Sequence, residues 1–587
     1  MKLLHHVIVA AGLAASTAFA AEPAVLTAPR LAQFDTLDPQ READVYSDGM
    51  LRLLYSTLTT YAYLERPYRI EPDLLESLPT LGADKLTYTF KLRKGIRFVD
   101  NACFPGGKGR ELTADDVIYT FKRFGDANVN VKSWPFMQGM VAGLDDFRAA
   151  TAKAGPGVDY AKMTVAGLHK IDGSTFTVKL THENPLFLHT ISMPAMSIVP
   201  VEAVQMYKDR LSVNAVGTGP FMASGALERK GTLRLVRNPA YHRTYPTVGE
   251  PGDAAKGLLK DAGKKLPLVD VLEMPLIEES QPAALKFLRG ELDRRNLDRA
   301  NFTKMVTRAP DGSLTLLPEY AAKFNLAVAP AANIVFVSFN MRDALVGGAK
   351  GKALRQAIAA AIDPQAIINV IWNGRGIPLG SMVPVDFAGS ERDTAAPVHK
   401  RDVALAKKLM ADAGYPDGKG LPPLTLRLPA ADADTRNEVD LLKSQLAAIG
   451  VHLAGDFDDM PTFTRAMEAG NFQMAYYAWY ADYPDAQDYY QIGYGKNLAP
   501  GANNGNFIDA GYDKAYEASL SLPNGPQRYE LFKQMNAILR DQVPLIPIYE
   551  SVRSDSLQKW AGNFKRNVFT TELQFMSIDP VAKKKGL

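Results

Sequence analysis

Stretches of helical periodicity and stretches of strict alternation follow one another along nearly the whole chain, and this interleaving narrows the possible folds more than any single motif. Leu86 to Leu92, Thr175 to Leu180, Thr232 to Arg237, Ile334 to Phe339, Leu424 to Leu428, Phe472 to Trp479 and Leu545 to Tyr549 read as strands. Between them, Val45 to Leu58, the segment opened by Thr113, Lys352 to Trp372, Arg401 to Ala413, Arg436 to Ile449 and Pro526 to Asp541 carry apolar residues at helical spacing. Such alternation excludes an all-helical or all-strand architecture and predicts α/β lobes. At 587 residues the chain has length for about four ordinary domains, or for two or three large ones. No internal repeat, coiled-coil heptad or long low-complexity segment interrupts it.

The first twenty residues stand outside this pattern. Lys2 gives a charged start, Leu3 to Ala15 is mostly apolar, and Ala18-Phe19-Ala20 fits the small-x-small cleavage rule, so a secretory signal cut after Ala20 is expected. Its apolar stretch is shorter than a membrane span. Cys103, the sole cysteine, lies far beyond the cleavage site, so it has no intrachain disulfide partner and cannot be a lipidated first residue. An exported, periplasmic protein is expected. With 67 basic residues against 64 acidic ones, the chain does not suggest a nucleic-acid coat or a polybasic membrane binder.

Catalytic signatures are scarce. No H-E-x-x-H pattern places two histidines for zinc, Gly106-Gly107-Lys108-Gly109 has the wrong spacing for a phosphate loop, and no G-x-S-x-G elbow is present. Ser556-Leu557-Gln558-Lys559 fits S-x-x-K but lacks its companion motifs. Asp115 and Asp116, behind Thr113, read as a helix cap, with Asp116 closing a capping box. No catalytic residue, metal site or cofactor is assigned.

The unusual segment is Phe472 to Tyr494. The nineteen residues from Tyr476 to Tyr494 hold eight aromatics, where the overall aromatic content of 9% predicts about two. A strand runs there into Ala481-Asp482-Tyr483-Pro484-Asp485, a turn with two acids. Rigid aromatic surfaces around an acid are a composition suited to a ligand cation. A core strand followed by a turn whose acids cap backbone amides fits the same composition.

Several separated segments resemble one family, the family 5 extracellular solute-binding proteins, which serve as peptide-, dipeptide- and nickel-type receptors of ABC importers. They are Leu37-Asp38-Pro39; Phe90 to Phe98 followed by Leu112 to Val117; Val216 to Phe221 followed by Arg237 to Tyr241; Arg355-Gln356-Ala357 with Ala361-Ile362-Asp363; Ala404 to Gly414; and Pro544 to Pro547. The resemblance implies a two-lobed periplasmic-binding-protein clamshell with an extra subdomain on lobe I and two hinge crossings. Lobe I would take residues 21–62, 205–333 and 544–587, the inserted subdomain 63–204, and lobe II 334–543.

In oligopeptide-binding members a W-x-A-D-Y motif supplies a carboxylate to the peptide's α-ammonium group, and Trp479-Tyr480-Ala481-Asp482-Tyr483 matches it. The resemblance therefore implies Asp482 as the ligand residue, flanked by Trp479 and Tyr480, with Tyr476, Tyr477 and Asn340 as further wall residues. It implies a monomeric, non-enzymatic receptor that passes peptides to inner-membrane permease subunits, with no nucleic-acid partner. A haem, glycan, opine or metal-chelate ligand, a sensing or chaperone role, and a periplasmic peptide hydrolase are the alternatives.

Overall fold

A computed structural model describes residues 22–586 apart from Ala43, His399, Ala430 and Ala431. The expected signal segment lies outside the described residues. Two four-stranded sheets and one eight-stranded sheet carry the architecture. The first small sheet orders Val25–Thr27, Val271–Pro275, Thr232–Arg237 and Phe221–Met222. The second orders Thr80–Leu81, Thr87–Lys91, Thr175–Lys179 and Leu168–Lys170 and belongs to the inserted subdomain.

Each expected strand is present, and the alternation explains its burial. On Thr87–Lys91, Tyr88 and Phe90 are buried, and the Phe90 ring stacks on Phe176 of the neighbouring strand at 4.9 Å. Each such ring contributes about 1.5–3 kcal/mol by leaving water. The helix Ala114–Gly125 starts where the capping box places it: the Thr113 N–H donates to Asp116 Oδ2 at 2.9 Å, and Arg110 holds the same carboxylate at 2.6 and 2.8 Å. Farther along this helix, Arg123 makes a buried two-pronged pair with Asp38 at 2.6 and 2.7 Å, fastening the Leu37-Asp38-Pro39 loop to the subdomain. Gly217 and Gly219 lie against the carbonyl of Leu54, where the first helix, Val45–Leu54, ends; a Cβ at either would overlap that backbone.

The long helical stretch Lys352 to Trp372 divides into Lys352–Ala361 and Pro364–Val370. Pro364 has no N–H to continue the first helix, and Asp363 caps the second by accepting from the Ala366 N–H at 3.0 Å.

The large sheet places Leu545–Gln558 at its centre. This hinge strand extends nine residues beyond the expected Tyr549, and its two halves serve different neighbours. Leu545 to Tyr549 pair with Asn333–Phe339, with a register shift opposite Val335 and Phe336, whereas Val552 to Gln558 pair with Phe324–Pro330. Sequence reasoning expected the chain to return to lobe I through this first half, which the structure pairs with Asn333–Phe339. Ala331-Ala332, between Phe324–Pro330 and Asn333–Phe339, is tied to the middle of Leu545–Gln558: the Ala332 N–H donates to Glu550 Oε1 at 3.0 Å, and the Ser551 N–H to Asn333 Oδ1 at 3.0 Å. The fold is the expected α/β clamshell with its additional subdomain.

Candidate ligand-binding site

The strand Met474–Tyr480 runs antiparallel to Asn333–Phe339 and parallel to Leu424–Leu428. Its alternation sends Tyr476 and Ala478 toward the core under helix Ala433–Ala447, and Trp479 toward the opposite face, where Phe336, Tyr489 and Phe532 pack. Tyr477 also takes that face, its ring 4.5 Å from Phe336. At its end the Ala481 N–H donates to the Ala332 carbonyl at 3.1 Å, so the strand finishes at Ala332.

Beyond that point three acids stand within seven residues. The Asp482 side chain is exposed, and its N–H donates to Asp488 Oδ2 at 2.9 Å. Asp488 is fully buried and its other oxygen accepts from Gln491 Nε2 at 2.9 Å. Partial desolvation by the surrounding protein raises the Asp482 carboxyl, and full burial together with the Asp482 charge raises Asp488 above the ordinary aspartate range. Asp485 behaves oppositely. Burial pushes its carboxyl up, but Arg528, at 2.6 and 2.8 Å, more than reverses this and holds it below the usual range.

Tyr483 carries this turn across to the subdomain. Its ring lies 5.8 Å from His189 and 6.4 Å edge-on from Phe136, while Tyr61 Oη is 3.0 Å from His189 Nδ1. Burial lowers His189 to about 4, so its ring is neutral at pH 7.

A cavity of about 530 Å³ is lined by Asn296, Leu297, Trp372, Glu438, Phe463, Tyr476, Tyr477 and Tyr480. Tyr549, Ser551, Arg553 and Ser554 of the hinge strand complete it with Arg375. Its size is that of a small-molecule site. Glu438 Oε1 accepts from three donors, Trp372 Nε1 at 2.9 Å, Tyr476 Oη at 2.8 Å and Tyr549 Oη at 2.8 Å. Burial nonetheless raises its carboxyl.

Of the six residues expected at the site, Tyr476, Tyr477 and Tyr480 line this cavity, and Asp482 follows Tyr480 by two positions. Trp479 does not line it. Asn340 is buried at the far end of the neighbouring strand, where its Nδ2 donates to the Gly470 and Phe472 carbonyls at 2.9 Å each. Sequence reasoning missed Asp488 and Glu438. Glu438 had a readable signal, since it lies four and eight residues before Leu442 and Leu446 on the buried stripe of its helix.

Among the described residues no group of three or more acids, histidines and cysteines could hold a metal ion, and no helix is long and apolar enough to cross a membrane. A relative from Pseudomonas aeruginosa, di/tripeptide-binding protein 3, is 25% identical over 86% of this chain and 85% of its own length. Heme-binding protein A of Haemophilus influenzae is 25% identical over 82% of this chain and 79% of its own. HbpA2 from Haemophilus parasuis has a solved structure that superposes with a TM-score of 0.73 at 20% identity, covering 94% of this chain and all of that one. Residues 69–499 match the model of the bacterial extracellular solute-binding proteins, family 5, and the chain belongs to that family.

Proposed function

We propose that this chain is the periplasmic receptor of an ABC importer, capturing peptides between its lobes and presenting them to inner-membrane permease subunits. The observation that carries the peptide reading is the acidic pair Asp482 and Asp488 at the end of the aromatic strand. Two carboxyls, both pushed toward protonation, lack a cation that a peptide's α-ammonium group supplies. The cavity lined by Tyr476, Tyr477, Tyr480 and the strand Leu545–Gln558 supports closure around a ligand as the binding event. The similarity to di/tripeptide-binding protein 3 supports the same substrate class.

In this reading Asp482 anchors the ligand, Tyr476, Tyr477 and Tyr480 form walls, and Trp479 and Asn340 hold the surrounding strands. Lobe I comprises residues 22–62, 205–331 and the tail from 552, lobe II residues 332–551, and the subdomain 63–204. The receptor acts as a monomer after cleavage behind Ala20, without catalysis.

Thermal unfolding of ligand-stripped protein against matched free and N-acetylated di- to pentapeptides tests this, because a ligand that binds only the native state raises the midpoint. Stabilisation by free peptides alone is expected, with Asp482→Asn costing about 3–5 kcal/mol of their binding if the pair is buried on closure. Equal stabilisation by both pools would reject the ammonium anchor. No shift from either would replace peptides with another ligand class, and the H. influenzae relative's name makes haem the first to try.

A further inference from the structure

The cavity contains an acid that the ammonium anchor does not use. Glu438 lines the chamber, is only 4% exposed, and projects from the middle of helix Ala433–Ala447, on a stripe otherwise made of Val439, Leu442 and Leu446. A carboxyl at such a place costs several kcal/mol in desolvation unless something repays it. Three donors converge on Oε1, from Trp372, Tyr476 and Tyr549. Oε2 has no hydrogen-bond partner among the described residues. The side chain is thus fixed by one oxygen while the other is left over.

The walls have a matching composition. Trp372, Phe463, Tyr476, Tyr477, Tyr480 and Tyr549 surround the chamber, and aromatic faces attract cations through their quadrupoles. Ser554, 1% exposed, adds a hydroxyl oxygen with no partner.

We infer that this chamber is a specificity pocket for a basic side chain of the ligand, a lysine ammonium or an arginine guanidinium, read by Glu438. This rests on the peptide reading above. An entering cation pairs with the leftover oxygen. The groups that face Glu438 are Tyr476, Tyr549 and Trp372, all donors to it, with Asp432 acting at longer range. Arg375 lies 5.8 Å from the Trp372 ring in the cavity wall, and with Arg553 it has no carboxylate partner among the described residues. These arginines oppose a bare cation. A lysine or arginine at a free C-terminus brings its own carboxylate for them, so that is where the basic residue belongs.

Calorimetry of the ligand-stripped full chain with Ala-Ala-Lys and Ala-Ala-norleucine tests the assignment. The lysine peptide should bind at least tenfold more tightly. E438Q keeps an oxygen for the three donors but loses the charge, and it should abolish the gap between the two peptides. Equal affinities in the unsubstituted protein, or a gap that survives E438Q, would overturn the pocket and leave the receptor reading standing. The comparison of the two peptides on the unsubstituted chain needs no variant, so a misfolded E438Q does not blunt the test. Failure of both peptides to bind would overturn the peptide reading and this pocket together.

Discussion

Arg528 and Asp485 form a two-pronged ion pair, 1% and 3% exposed, between helix Pro526–Gln542 and the turn that carries Asp482. Two residues separate Asp485 from the proposed anchor, so the geometry of the pair sets the path of the acidic turn. Replacing Arg528 with Ala leaves a buried carboxylate unpaired and is expected to cost about 3–5 kcal/mol in urea unfolding. The native Asp485 carboxyl is held below its ordinary range, so this stabilisation is complete above about pH 4 and is lost as pH falls through the depressed value. An Arg528→Ala protein with unchanged stability at pH 7 would show that the pair contributes nothing.

His189 predicts a second acid dependence. Its native value of about 4 lies below the ordinary histidine value, so the unfolded chain takes up a proton that the native chain refuses. Stability should fall by about 3 kcal/mol in total as pH drops from about 6.5 to 4. His189→Phe keeps a ring against Tyr483 and should flatten that part of the profile. Identical slopes for both proteins would mean that the ring is not shielded from water.

Asp488 makes capture by the proposed anchor depend on pH. Both carboxyls are raised, so affinity for free-amine peptides should increase with pH as they ionise. Asp488→Asn removes the neighbouring charge and should reduce that slope by at least half, measured as the dissociation constant between pH 5 and 8. A slope unaltered by the substitution would place the proton elsewhere.

Gly219 predicts a purely steric effect. Its missing Cβ is the space occupied by the Leu54 carbonyl, so Gly219→Ala must push the Gly-Thr-Gly turn away from the first helix, at about 1–3 kcal/mol. Thermal unfolding that matches the unsubstituted protein would show that the turn has slack.

Much of the fold was legible because alternation and burial coincide: Thr232–Arg237 and Leu424–Leu428 begin and end where their apolar pattern does. The second half of the hinge strand was not legible, because Ser554, Asp555 and Ser556 are polar yet buried. Asp555 is tolerated there through Arg294 at 2.8 Å and Arg566 at 2.9 Å, partners 261 and 11 residues away that no local window contains. At the site, aromatic enrichment drew attention to Tyr476, Tyr477 and Tyr480. Asn340 followed from its position at a strand end, where its side chain ties backbone carbonyls instead. Asp488 escaped notice because its role depends on a backbone N–H folded back from Asp482.

The central strand of the large sheet comes from the last forty-odd residues of the chain. During synthesis from the N-terminus, the edges of Asn333–Phe339 and Phe324–Pro330 that later pair with it stay open until Leu545–Gln558 emerges. Neither lobe can complete its sheet on a nascent chain, and a truncation ahead of residue 545 would yield two unsealed edges in place of two lobes.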